Sequence, residues 1–221
     1  MTKMSNEKYY DSDNAVNPVA IKEAFFAMME HFHYPIYPKL KTDEFWFCDF
    51  KEANFANIGM GGIFWMNVKG KYTKIIGNES ADKYIDENYG YLGHEIYLLP
   101  NQTLPEHHHV AGPEDFGAKM ESWQIRHGSV LLYSEIESEG AKLIADLPED
   151  QRPWGFGEDW FHSKYYVIAQ AGDCVDMEDA ESFHGMMALE EGAIVTEYAT
   201  YHNHVSFAKP GMVFENSKDP Q

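Results

Sequence analysis

The chain is poor in basic residues. Across its 221 positions, 17 lysines and arginines face 36 aspartates and glutamates, for a formal net charge of -19 at pH 7. Arg126 and Arg152 are its only arginines. A nucleic-acid backbone is held by clustered Lys and Arg, so this deficit argues against such a partner. Cysteine is scarce as well: Cys48 and Cys174 lie in unlike contexts and read as small hydrophobes rather than a disulfide framework. No run approaches the roughly 20 apolar residues that span a bilayer. The first 16 residues are polar and lack the apolar core of a leader. The expectation is a cytoplasmic protein with no membrane contact.

What the chain does have is 44% apolar residues, enough for one substantial core. Asn17 and Pro18 form a helix start, with Asn as cap and Pro where its missing N–H costs nothing. Ile21, Phe25, Met28 and Phe32 follow at helical spacing, which predicts an amphipathic helix over residues 18–33. Beyond Pro35 and Pro38 the text becomes aromatic and broken by Gly59, Gly61 and Gly62. These glycines lack the Lys-Ser/Thr ending of a phosphate loop and read as a turn or bulge. Residues 44–50, 57–68 and 71–77 are strand-like, 78–91 a polar loop, and 94–100 a buried strand. Residues 122–137 read as two strands folded at His127 and Gly128, and 164–170, 174–177 and 193–201 as further strands. Short strands at this spacing, separated by Gly turns, predict an all-β sandwich or barrel. We divide the chain into an N-terminal arm and helix, residues 1–55, packed on a barrel of residues 56–221.

The chemistry concentrates in residues 98–133. His107, His108 and His109 are consecutive, and in an extended segment alternate side chains share a face, so His107 and His109 make a two-nitrogen chelate. Imidazole nitrogens suit zinc, copper, iron or nickel, and an added carboxylate, for which Glu121 is the candidate, moves the preference toward iron or manganese. The plainer alternative is a solvated histidine run in a loop. His184, in a similar break much later, favours the metal.

A His-x-His pair, a following Glu and a late single His resemble the cupin superfamily, whose fold is a jelly-roll β-barrel. Two spacings depart from it: the loop from His109 to Glu121 is long, and Gly172 to His184 is one residue longer than usual. Within that superfamily the chain is similar to the D-lyxose isomerase type of sugar isomerase. The likeness rests on residues 98–109, on Lys119 two before Glu121, and on residues 192–200 with Glu197. It implies a divalent metal, manganese above iron, zinc, cobalt or nickel, held by His107, His109, Glu121 and His184. It further implies aldose–ketose isomerisation of a free sugar through an enediol, with Glu197 as general base and Lys119 as proton donor. Plainer roles exist for both: Glu197 as a paired or surface carboxylate on a half-buried strand, Lys119 as a solvated loop lysine. Glu106 is either a substrate contact or loop polarity, and His202 with His204 forms a second chelate-like pair in place of the family's acidic segment.

Other readings are an iron-dependent cupin dioxygenase or lyase, and a non-catalytic sugar-binding cupin. The Trp-bearing segment 151–160 is expected to be a loop beside the site that suits a carbohydrate. Aromatic strand faces at residues 45–50 and 62–66 suggest a homodimer.

Overall fold

The computed structural model describes residues 5–69, 90–112, 117–177, 179–202 and 204–217. The strand expected over residues 71–77 and all but the end of the polar loop over 78–91 lie outside the described residues. The helix forms as α1, Pro18–His31, with the Asn17 side chain accepting from the Ala20 amide at 3.2 Å. It buries Ile21, Phe25, Met28 and Met29. Among the described residues ten strands follow: β1 (Trp46–Cys48), β2 (Met60–Lys69), β3 (Gly90–Leu98), β4 (Thr103–His108), β5 (Glu121–Ser134), β6 (Lys142–Leu143), β7 (Tyr165–Gln170), β8 (Cys174–Asp176), β9 (His184–Ala199) and β10 (Ser206–Phe207).

All named pairings are antiparallel, and β5 and β9 organise them by running side by side and bending together. The second half of β9 pairs with β3 on one edge and with the first half of β5 on the other. Its first half pairs with β4 and with the second half of β5. The result is two leaves: β1, β2, β3 and β8 join the first, while β4, β6, β7 and β10 join the second. This is the expected all-β jelly roll with an N-terminal helix. Among the described residues the strand order does not close on itself.

The bend replaces the strand break expected at His127 and Gly128. β5 is one strand, and its register against β9 shifts on both sides of Gly128. Gly128 has φ 72° and Gly192, opposite, has φ 82°, a region costly for residues with a Cβ. A Cβ on Gly128 would lie 2.0 Å from the Gly192 carbonyl oxygen. The turn signal was real; it marks a corner that both strands round together.

Period-2 alternation sorts the side chains. Trp123, Ile125, Ile96 and Val195 from the first leaf meet Leu104, Met186, Val130 and Leu132 from the second in the inner core. Tyr97, Ile63 and Ile194 point outward, where Ile21, Phe25 and Met29 of α1 cover them. Phe45, Trp46 and Phe47 are buried in these two layers, so residues 45–50 present no free aromatic face. Trp65 and Met66 remain exposed. The three early glycines serve close packing: a Cβ on Gly61 would meet the Phe25 ring at 2.9 Å, and one on Gly62 the Trp46 ring at 2.4 Å.

Candidate metal and active site

Along β9 the inward positions are His184, Met186 and Ala188, then, past the corner, Ala193, Val195 and Glu197. The apolar ones fill the inner core, and the polar ones sit at the two ends of the strand. Because β9 is bent, those ends return to the same mouth of the sandwich. His107 pairs with His184 across the β4–β9 ladder, and Glu121 opens β5 on the opposite leaf. All six sequence-nominated residues, His107, His109, Lys119, Glu121, His184 and Glu197, meet there and are buried.

His107, His109 and His184 place ligand atoms within 4.8 Å of one another. Their tautomers follow from what the other ring nitrogen faces. Nδ1 of His107 donates to the Pro105 carbonyl at 2.8 Å, Nδ1 of His184 to Ser182 at 2.8 Å, and Nδ1 of His109 to His204 at 3.1 Å. A carbonyl only accepts, so Nδ1 carries the proton and Nε2 turns a lone pair inward. Glu121 Oε1 stands 3.0 Å from His184 Nε2 and 3.5 Å from His109 Nε2. Neither Glu121 Oε1 nor His184 Nε2 has a hydrogen-bond partner among the described residues. Facing lone pairs around a buried carboxylate oxygen repel, and either a proton shared between them or a cation at their centre relieves this. Three imidazole nitrogens and one carboxylate oxygen are a donor set for a divalent transition metal.

Burial, then the nearness of His184, pushes the His107 imidazole down to about 3. Burial, then the Lys119 ammonium, holds His109 well below its ordinary range. Both are therefore neutral and ready to ligate at neutral pH.

Lys119 does not point to solvent. It lies 2.9 Å from Glu121 Oε2 and makes an ion pair with Glu197 Oε1, so one ammonium links the ligand cluster to the second carboxylate. Burial opposes its charge, but Glu121 and Glu197 outweigh that and hold it above its ordinary value. In turn, burial works to raise the Glu197 carboxyl, while Lys119 and then the hydrogen bond from His94 bring it below its usual range. Glu121 lies well below its usual range, with Lys119 the largest influence opposing burial. The solvated role that sequence allowed for Lys119 and the surface role for Glu197 therefore fail; Glu197 is paired, as the plainer reading also allowed.

A cavity of about 400 Å³ opens over this cluster, within the ~300–1,000 Å³ range of small-molecule sites. His107, His109, Lys119, Glu197, His94 and Asn67 give it a polar floor, and Phe64, Leu92, Phe207 and Phe214 an apolar wall. His202 and His204 line it as well, the His202 ring 4.9 Å from that of His109. Lys119 is the only lysine or arginine in the described lining. Segment 151–160 is absent from it; Trp154 packs instead against the inner core, with the Lys209 ammonium over its ring. That expectation fails because residues 204–216 occupy the mouth.

Glu106 is no substrate contact. It accepts from the His162 and Ser163 amides at 2.8 and 2.6 Å and anchors that segment. His127 stacks on Phe32, away from the site. A second cavity of about 440 Å³, lined by Trp123, Tyr133, Tyr165 and Asp176 among others, has no histidine among its described lining residues.

Sequence reading missed His94 and Asn216. His94 opens a segment read only as a buried strand. The available signal was its register, since His94, Ile96 and Leu98 share the inward face of β3.

No family model matches the chain. It is 31% identical over 116 residues to the D-lyxose/D-mannose isomerase of Thermosediminibacter oceani, covering 52% of this chain and 59% of that protein. It is 31% identical over 111 residues to the D-lyxose ketol-isomerase of Cohnella laeviribosi, covering 50% and 56%. The match thus spans little more than half the length of these curated relatives. In three dimensions the chain is similar to the L-ribose isomerase of Acinetobacter sp. DL28 in complex with L-ribose, with a TM-score of 0.60 and 18% identity over 93% of this chain and 95% of that one. The L-ribose isomerase of Cellulomonas parahominis with L-ribose gives a TM-score of 0.59 at 15% identity, over 86% and 90%. These likenesses establish a shared fold.

Proposed function

We propose that the chain is a metal-dependent aldose–ketose isomerase acting on a free sugar of the D-lyxose or D-mannose kind. The observation that carries this is the Glu121–Lys119–Glu197 bridge, which sets a buried second carboxylate beside the three-histidine cluster at the floor of a cavity. Sequence relatives named for D-lyxose and D-mannose, and the fold shared with L-ribose isomerases, point the same way.

Isomerisation moves a proton between two adjacent carbons while the neighbouring oxygens exchange carbonyl and hydroxyl character. Glu197 takes the proton from the carbon beside the carbonyl, giving an enediol, and returns it to the other carbon. Lys119 holds Glu197 ionised and, turned toward substrate, gives a proton to the carbonyl oxygen that gains charge, then takes one back from the neighbouring hydroxyl as that oxygen becomes the new carbonyl. A divalent ion, manganese for preference, bound by His107, His109, Glu121 and His184 would supply Lewis-acid stabilisation of that charge. With Lys119 the only lysine or arginine in the described lining and already shared by two carboxylates, no further fixed cation faces a phosphate there, which favours an unphosphorylated sugar.

The apolar wall of Phe64, Leu92, Phe207 and Phe214 favours the iron-dependent dioxygenase or lyase as second reading. It leaves the buried Glu197–Lys119 pair without a task. Trp65, Met66 and Tyr198, exposed on the first leaf, are our candidate surface for a homodimer, to be checked by light scattering.

The test is turnover of a panel of free pentoses and hexoses with added manganese, before and after chelation. We expect chelation to abolish conversion. Glu197→Gln should lower kcat by about 10²- to 10⁴-fold, the usual worth of a positioned acid or base, with metal content unchanged. Stoichiometric iron and no sugar converted would replace this reading with the oxygenase one.

A further inference from the structure

We propose that His94 is a positioning residue for Glu197: it fixes one carboxylate oxygen so that the other is presented to substrate. This rests on the reading of Glu197 as the base. His94 Nδ1 lies 2.9 Å from Glu197 Oε2, and both side chains are almost wholly buried. A carboxylate only accepts, so Nδ1 carries the proton and donates it into this bond. Glu197 Oε1 faces Lys119 instead. Each oxygen thus has its own partner, and the partners differ in freedom. Lys119 is a long flexible side chain shared with Glu121, able to turn to a sugar oxygen and leave Oε1 to receive the proton.

His94 cannot follow. Its ring is packed in a three-ring cluster with Phe64, 4.5 Å away at 28°, and Trp46, 5.3 Å away at 26°, which lie 5.3 Å from each other. Its far nitrogen, Nε2, abuts Gly62, where a Cβ would come within 2.6 Å. Nε2 is buried and has no hydrogen-bond partner among the described residues. Its position therefore owes nothing to a second bond; packing holds the imidazole, and the imidazole holds Oε2. Backbone register supports this, since His94 and Glu197 are directly paired across β3 and β9 and both point inward. A base fixed in this way reaches the substrate carbon without first losing rotational freedom, the kind of placement for which ~1 Å of error costs about 10²-fold in rate.

Two substitutions separate the hydrogen bond from the stacking. His94→Phe keeps a ring packed against Trp46 and Phe64 and removes the donor. His94→Asn sets an amide N–H near the place of Nδ1 and removes the ring. Positioning through the bond predicts that the Phe variant loses about 10- to 100-fold in kcat, with KM and metal content unchanged. The Asn variant should recover most of that loss despite weaker packing. A purely structural role predicts the reverse order, and that result would overturn the proposal. Should the Phe variant fail to fold, NMR of ¹⁵N-histidine-labelled wild type decides. The His94 Nδ1–H resonance should be slow to exchange, and it should move and exchange faster in Glu197→Ala. A resonance indifferent to the loss of Glu197 refutes the bond. Wild-type turnover is read separately: if no sugar is converted, the isomerase reading falls, while the ring N–H still reports whether His94 fixes Glu197.

Discussion

Replacing Gly128 with alanine tests the corner on which the site depends, and Gly140→Ala supplies its control. Both glycines hold positive φ, 72° and 76°, so each alanine carries the left-handed penalty of about 1–2 kcal/mol. A Cβ on Gly140 meets nothing within 4 Å, whereas one on Gly128 lies 2.0 Å from the Gly192 carbonyl oxygen. That neighbour is backbone and cannot rotate away. Relief means parting β5 from β9, which forfeits one or two ladder bonds at about 1 kcal/mol each. Overpacking strain adds about 1–3 kcal/mol. Gly128→Ala should therefore be less stable than Gly140→Ala by about 2–5 kcal/mol, measured by urea unfolding at constant m-value. At the lower bound its Tm falls about 4–8 °C below the control. The damage should also reach the site, because the corner brings His184 and Glu197 of one strand to the same mouth; metal affinity should drop with stability. Variants agreeing within about 0.5 kcal/mol, the usual limit of additivity, would show that the corner is not tight and that the two leaves are set by something else.

Acid should destabilise the metal-stripped protein before its carboxylates titrate. The folded His107 sits at about 3 against an ordinary 6.5, so the unfolded chain binds the proton first as pH falls. Its contribution is complete above pH 6.5 and is lost at about 1.4 kcal/mol per unit below it, or about 2 kcal/mol by pH 5. His109 is depressed too and adds in the same direction. Glu121 and Glu197, lowered from 4.5, lose their contributions only below that value and stay out of this window. Equal urea midpoints at pH 7.5 and 5 would contradict the buried neutral imidazoles. Adding manganese to the stripped protein at a hundredfold excess over its Kd should stabilise it by about 2.7 kcal/mol, roughly 5–11 °C in Tm. His184→Ala should abolish that shift; a shift that survives places the ion elsewhere.

Much of this was legible because local rules and tertiary structure agree. Asn17, Pro18 and the Ile21–Phe25–Met28 spacing specify α1 by capping and periodicity, and α1 forms there. The nominated ligands also converge, because the His-x-His alternation and the inward parity of Glu121 and His184 are properties of extended chain. Three failures have one cause, which is that pairing between distant segments leaves no periodic trace. Gly128 was read as a chain reversal because a glycine signal shows positive φ but not whether the partner strand bends with it. Residues 151–160 carry tryptophans that look suited to a sugar, yet residues 204–216 took the mouth by pairing β10 with β4. His94 and Glu197 are 103 positions apart, and only the β3–β9 register joins them.

The unequal anchoring of the strands divides the molecule into two tiers of opening. β9 is paired along both edges, so its amides at Met186–Ala188 and Ile194–Val195 exchange with solvent only when the whole fold opens. The far rim of the cavity is held more lightly: by two-residue β10, by the Ser217 amide on the Phe47 carbonyl, and by the Lys209–Glu52 ion pair. Sub-global opening of that rim leaves His184 and Glu197 in register but takes the His204 carbonyl away from His109 and β10 away from His107. Traffic through the entrance therefore bears on the His-x-His half of the cluster, while the β9 half persists until the whole fold opens.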